Sequence, residues 1–219
     1  ELLRLRRYDV GIPRRTRKAI FSHNIWRPRF ERLQLQDIPC RPTERPAVVP
    51  CVFTANINGG FVRKVDELEV VLQTNGVDIA CITETWLKES VPSEVVSIPG
   101  YVVHRNDRKD GRQGGGVAVF VRQEIPCQRL TALETDGAES VWLLFRRPRM
   151  PRALSHVVVG AIYHPPSADG RAMTSHILGC LDTVTRDHPR AGVILLGDFN
   201  RLRDAALLSF RALSLERTG

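Results

Sequence analysis

With 219 residues, 42% hydrophobic and 26% charged, the chain has the length and make-up of one ordinary globular domain, and length alone demands no second. Its longest apolar runs, such as 157–162, are far too short to span a bilayer, and its start, Glu1-Leu-Leu-Arg-Leu-Arg-Arg7, lacks the apolar stretch and small-residue cleavage site of a signal peptide. The net charge of +8 is unevenly spread: residues 1–50 hold 12 Lys and Arg against 5 Asp and Glu, whereas the remainder is almost balanced.

The basic, proline-dotted segment 1–46 shows little periodicity and predicts an arm or linker without a fold, ahead of a domain over residues 47–219. Such an arm can attract a polyphosphate by counterion release; a solvated linker is the equal alternative. The chain lacks an initiator Met, as a fragment or a processed form would. From Val48 the texture changes. Residues 48–55 suit a buried strand ended by Asn58-Gly-Gly60, and 64–73 place Val65, Leu68, Val71 and Leu72 on one helical stripe. A second buried strand is predicted over 77–83. Further strands follow over 101–105 and 116–121, separated by the glycine-rich loop 106–115, and then over 127–133, 140–145 and 157–163. Residues 177–186 read as a helix, and 193–197 as a last strand before the loop Asp198–Asn200. Helices covering a strand-rich core predict a layered α/β domain. The five cysteines are scattered, with no C-x-x-C pair, which argues against zinc and against a disulfide framework and suits a reducing, intracellular setting. Cys81, inside an apolar run, reads as a small buried thiol.

Three buried strands end in residues that a core would not accept: Asn56 and Asn58, Thr83 and Glu84, Asp198 and Asn200. Polar side chains at strand ends belong where strands open into a crevice. If these ends converge they form an oxygen-rich cluster suited to Mg²⁺ or Mn²⁺. Each residue alone can also be an ordinary turn cap.

The ordered set Glu84-Thr-Trp-Leu87, Gly114-Gly-Gly-Val-Ala118, Tyr163-His-Pro-Pro166 and Gly197-Asp-Phe-Asn200 resembles the endonuclease domain of non-LTR (LINE-type) retrotransposons, which is apurinic-endonuclease-like and belongs to the endonuclease/exonuclease/phosphatase superfamily. The resemblance runs from about Val48 to about Phe210 and implies a DNase I-like α/β sandwich. It implies Glu84 as the principal metal-binding carboxylate, with Asn58 beside it where relatives carry Asp. It makes Asp198 the group that orients or deprotonates water, Asn200 and Asn56 hydrogen-bonding partners of the scissile phosphate, and Tyr163 the source of a phenolic hydroxyl. The alternative for Tyr163 is an aromatic that covers a strand end. The implied product is a DNA nick with a 3′-hydroxyl that a reverse transcriptase can prime from, which would place the protein in the nucleus. Arg105, Arg108, Lys109 and Arg112 lie on the glycine-rich loop and can follow a DNA backbone; a plain solvated hairpin is the alternative. Trp86 can stack on a base, although packing under the loop is the stronger expectation.

Relatives close with a Ser-Asp-His triplet. The stretch 201–219 holds no histidine, and Asp187-His188-Pro189 lies before the last strand, where it reads as a turn leaving a helix. The expectation is a fold incomplete at its C-terminus and an impaired enzyme. A nucleic-acid-binding remnant without catalysis and a phosphatase of the same superfamily are the alternatives.

Overall fold

Alternation along single strands decides the layers. In the strand Glu139–Phe145, Val141, Leu143 and Phe145 point to one face while Trp142 and Leu144 point to the other. Both faces are apolar, so the strand must be covered on both sides. The structure, a computed structural model, describes residues 18–22, 50–146, 155–202, 207 and 214–218.

The strands in chain order are β1 (Lys18–Ser22), β2 (Val52–Asn56), β3 (Ile79–Thr83), β4 (Tyr101–Asn106), β5 (Val117–Arg122), β6 (Cys127–Arg129), β7 (Glu139–Phe145), β8 (His156–Tyr163), β9 (Ala191–Asp198) and β10 (Ser214–Thr218). One sheet has the order β10-β1-β9-β8-β7-β6 and the other β2-β3-β5-β4. Val52, Ile79, Cys81, Val119, Val141, Leu143, Val159, Ala161 and Leu196 fill the space between them. Helix α1 (Val65–Thr74) covers the outer face of the smaller sheet with its Val65, Leu68, Val71 and Leu72 stripe. Helix α2 (Gly170–Asp187) covers the outer face of the larger sheet with Met173, Ile177, Cys180, Leu181 and Val184. The molecule is therefore the predicted α/β sandwich, with two sheets packed face to face and a helix on each outer side.

Several boundaries differ from the sequence expectation, each for a local reason. Helix α2 begins at Gly170 and not at Ile177, because the Asp169 side chain accepts a hydrogen bond from the Arg171 N–H at 2.9 Å and caps a helix whose first turns are polar. The strand expected over 127–133 stops at Arg129, and Thr131–Leu133 turns into a short 3₁₀ segment. Within 1–46, where no element was expected, Lys18–Ser22 pairs in parallel with β9 on one side and with β10 on the other. The rest of that segment lies outside the described residues. Among the described residues, no helix is long and apolar enough to cross a membrane.

Strands β2 and β3 are parallel, as are β8 and β9. Their C-terminal ends carry Asn56, Thr83, Tyr163 and Asp198 in register, Asn56 opposite Thr83 and Tyr163 opposite Asp198. That common edge positions the site.

Candidate active site

The period of two places three polar side chains in the cleft between the sheets. Asn56 shares a face with Val52, Tyr163 with Val159 and Ala161, and Asp198 with Leu196, and all of those apolar residues belong to the inter-sheet core. Glu84 does not follow this rule. It comes one residue after β3, where continued alternation would turn it to the α1 side. Its backbone instead adopts the left-handed conformation, φ 54°, and its carboxylate meets the cleft residues.

The result is one hydrogen-bonded cluster. Asn56 Nδ2 donates to Glu84 Oε1 at 2.9 Å and to Asp198 Oδ2 at 2.7 Å, so one carboxamide bridges two carboxylates. The Tyr163 hydroxyl donates to the same Glu84 Oε1 at 3.0 Å. Glu84 Oε2 receives a long contact of 3.4 Å from the Trp86 indole N–H. Asp198 Oδ1 accepts the Asn200 backbone N–H at 3.0 Å, and Asn200 Nδ2 donates to the His164 carbonyl at 2.8 Å. Burial and the adjacent Glu84 charge both hold the Tyr163 hydroxyl well above its usual range, so it remains a neutral donor. Beneath the cluster Cys81 is fully buried, and burial pushes its thiol up to about 12, which fits the inert thiol expected.

Asn58 stands apart. Its backbone N–H donates to Asn56 Oδ1 at 3.0 Å, while the residue itself is exposed at the cleft mouth. Glu84, Asn56, Tyr163 and Asp198 are thus brought together, Asn200 braces the Tyr163-His164 strand end, and Asn58 flanks them. Among the described residues, no three of His, Cys, Asp and Glu group as a metal cluster. The donor set here is two carboxylates and neutral amides. It fits a hard divalent ion such as Mg²⁺, which takes few protein oxygens and keeps its waters. Glu84 Oε2, with only its long indole contact among the described residues, and Asn58 are the groups that would hold one.

The loop cations divide into two kinds. Arg105 and Arg108 side chains are only 9% and 10% exposed. Arg105 pairs with Asp107 and donates to the Val91 and Lys88 carbonyls at 2.7 and 3.1 Å. Arg108 pairs with Glu139 at 2.5 Å. Lys109 and Arg112 are exposed and pair with Asp136 and Asp110 at 2.6 and 2.5 Å. Arg105 and Arg108 are therefore committed inside the fold, a role the sequence reading did not foresee.

Three further residues escaped sequence reasoning. Glu139 accepts from the Gly116 N–H as well as from Arg108, which fixes the glycine run. That run in turn holds the Glu84 segment through Trp86 N–H to Gly115 O at 2.9 Å and through Thr85 N–H to Gly116 O at 3.4 Å. Lys64 Nζ donates to the Ile57 and Gly59 carbonyls at 2.6 and 2.8 Å, clamping the loop that carries Asn58. Nothing in the sequence signalled Lys64 or Glu139, since neither belongs to a recognised motif. Thr85, which sits within a recognised motif, is buried. His188, set aside as a catalytic partner, packs on His156 at the start of β8, with ring centroids 5.7 Å apart, whereas Tyr163 ends that strand. The two ends lie roughly 20 Å apart.

The sequence matches the endonuclease/exonuclease/phosphatase family over residues 53–213. It is 25% identical over 108 residues to the RNA-directed DNA polymerase from mobile element jockey of Drosophila melanogaster, and 25% identical over 107 residues to its Drosophila funebris counterpart. The matched stretch covers 49% of this chain and 11% of each relative, so the chain spans about a tenth of the length of the curated relatives it matches. Among solved structures, the endonuclease domain of TRAS1, a telomere-specific non-LTR retrotransposon, superposes with a TM-score of 0.50 at 20% identity, over 71% of this chain and 66% of that one. An endonuclease/exonuclease/phosphatase from Bacteroides vulgatus superposes with a TM-score of 0.51 at 15% identity, over 73% and 70%.

Proposed function

The chain belongs to the endonuclease/exonuclease/phosphatase family, and from that membership we propose that its site hydrolyses a phosphodiester of DNA, nicking one strand to leave a 3′-hydroxyl. The observation that carries the proposal is the Glu84–Asn56–Asp198 bridge, with the Tyr163 hydroxyl beside it at the C-terminal edge of four strands. Two carboxylates held within reach of one amide can divide the work between charge compensation and proton transfer.

Asp198 has one oxygen engaged by Asn56 and the other by the Asn200 N–H, so its orientation is fixed. In this reading it aligns a water and takes its proton as the water oxygen bonds to phosphorus and the bond from phosphorus to the 3′ oxygen breaks, the departing oxygen taking a proton from solvent to become the 3′-hydroxyl. Asn200 Nδ2 keeps one N–H for the phosphate, whereas both Asn56 N–H groups are given to Glu84 and Asp198, so Asn56 reaches the phosphate only by releasing one of them. Tyr163, neutral at physiological pH, turns its hydroxyl from Glu84 to a phosphoryl oxygen. A divalent ion at Glu84 and Asn58 would offset the negative charge that grows on the phosphoryl and leaving oxygens. The neutral Asn58 amide would hold that ion lightly, so activity should need millimolar rather than micromolar Mg²⁺ or Mn²⁺.

The test is nicking of supercoiled plasmid by the full chain. Mg²⁺-dependent nicking that is lost in Glu84→Ala and in Asp198→Ala supports the proposal. Nicking no greater than that of the Glu84→Ala/Asp198→Ala double variant defeats it. The basic segment 1–46, taken as an arm ahead of the domain, favours a second reading, nucleic-acid binding without cleavage. Because β1 is part of a sheet, that reading is best tested by replacing Arg14, Arg15 and Arg17 together rather than by deletion. Salt-sensitive DNA binding that survives Glu84→Ala and weakens in the triple variant supports it.

A further inference from the structure

We propose that the groove between Trp86 and the hairpin 105–114 is a nucleotide subsite, in which one unstacked base of the strand being cut lies against the Trp86 indole. The inference rests on the phosphodiesterase reading above. The groove has a volume of about 800 Å³, within the range that takes a nucleotide-sized ligand. It starts beside the reacting groups, because the Trp86 Nε1 that borders it is 3.4 Å from Glu84 Oε2.

Trp86 is only partly buried. The next residue, Leu87, is buried, while Trp86 is 44% exposed. One side of the indole covers Gly59, where any Cβ would collide with the ring, and its Nε1 edge runs toward Gly114. Trp86 also lines the groove. The backbone at Trp86 is left-handed, φ 55°, an unfavourable state for a bulky side chain. Its N–H bond to Gly115 O and the Gly59 N–H bond to Glu84 O, at 2.9 and 2.8 Å, hold it there.

The groove's charge selects the same ligand. Six cations and four carboxylates line it. Most of the cations are paired, but the exposed Lys88 side chain, two residues after Trp86, has no ion pair or hydrogen bond among the described residues and lines the same groove. An aromatic face beside an uncompensated ammonium fits a base and its adjoining phosphate. A base stacked within a duplex cannot present its face to the indole, so the occupant is unstacked. Its recognition tolerates any sequence, since every base has a π-face.

The experiment measures binding by fluorescence anisotropy in EDTA, so that cleavage does not intervene. The probes are labelled single-stranded oligodeoxythymidine and an oligomer of equal length and charge built from abasic residues. The wild-type chain should bind the base-bearing strand roughly tenfold more tightly. Trp86→Ala should erase that preference, and Trp86→Phe should retain most of it. Lys88→Gln should weaken both probes alike and lower the slope of log affinity against log salt by about 0.7. A base preference that persists in Trp86→Ala, or Lys88→Gln binding with the wild-type salt slope, overturns the subsite. Equal wild-type binding of both probes overturns the subsite and leaves the phosphodiesterase reading intact, whereas binding of neither overturns both. If Trp86→Ala does not fold, Trp86→Phe and Lys88→Gln still decide the matter. Polyglutamate that competes as well as the oligonucleotide would reassign the groove to an acidic protein segment and likewise overturn the proposal.

Discussion

Asn58, Glu84, Trp86 and Asn200 are the non-glycine residues with left-handed backbone among the described residues, and all four lie at the site. Asn tolerates that conformation, but for Glu84 and Trp86 it costs about 1–3 kcal/mol each. The strain at Glu84 has a visible return, because it turns the carboxylate out of strand alternation to meet Asn56 and Tyr163. Glu84→Gly should therefore unfold at higher urea than Glu84→Ala, by an amount equivalent to about 1 kcal/mol, although both lack the carboxylate. Equal midpoints would show that the left-handed backbone at Glu84 carries no strain. The loop cations give a second contrast at this scale. Arg108→Ala leaves the half-buried Glu139 carboxylate with the Gly116 N–H but without its ion-pair partner and should destabilise the fold by about 2 kcal/mol. Lys109→Ala and Arg112→Ala, on exposed pairs, should leave the melting temperature unchanged.

Among the elements, the glycine run and the helix cap carry the sharpest consequences. Gly115 has φ 74°, and a Cβ there would strike the Glu139 carboxylate and the Arg108 guanidinium. Gly111 has a similar φ of 76° but open space around it. Gly111→Ala should thus show only the backbone cost of about 1 kcal/mol, and Gly115→Ala distinctly more, with reduced nicking because the Glu84 segment hangs on this run. Urea titration of the two variants side by side checks this. Gly197 in β9 is a comparable requirement, since with φ 122° its Cβ would overlap the Ile162 carbonyl of β8. At the start of α2, Asp169→Ala should cost about 1 kcal/mol through loss of the cap to the Arg171 N–H.

Over the whole molecule, buried and half-buried imidazoles shape the response to acid. His104, His164 and His176 all titrate below the ordinary 6.5 of imidazole, chiefly because burial disfavours the charged form. His164 is also only 2% exposed, with no hydrogen-bond partner for Nδ1 among the described residues. As pH falls through about 6.5 the unfolded chain binds protons that the folded chain refuses, so stability falls until the folded imidazoles themselves protonate. The melting temperature should drop between about pH 7.5 and 5.5, and His176→Asn should make that drop shallower. A flat profile over this window would contradict the assignment.

The period-two and period-3.6 patterns were enough to read a layered α/β domain, the α1 stripe and the polar ends of β2, β3 and β9 from sequence, because burial of alternating faces is a local property of the chain, whereas the sandwich itself was implied only by the family resemblance. The short motifs were legible for the same reason, as with Gly197, whose neighbour Asp198 ends a buried strand. Pairing was not legible. Arg108 and Glu139 lie 31 positions apart, and no local pattern joins them until folding does. The left-handed turn at Glu84 was likewise invisible, since no residue type signals it; Gly59, Gly115 and Gly116 impose it from other parts of the chain. Sequence alone determined which groups could form the site. Only the tertiary structure decided that Asn56 bridges Glu84 and Asp198, because a hydrogen bond spanning 142 positions depends on how two sheets meet and not on any local period.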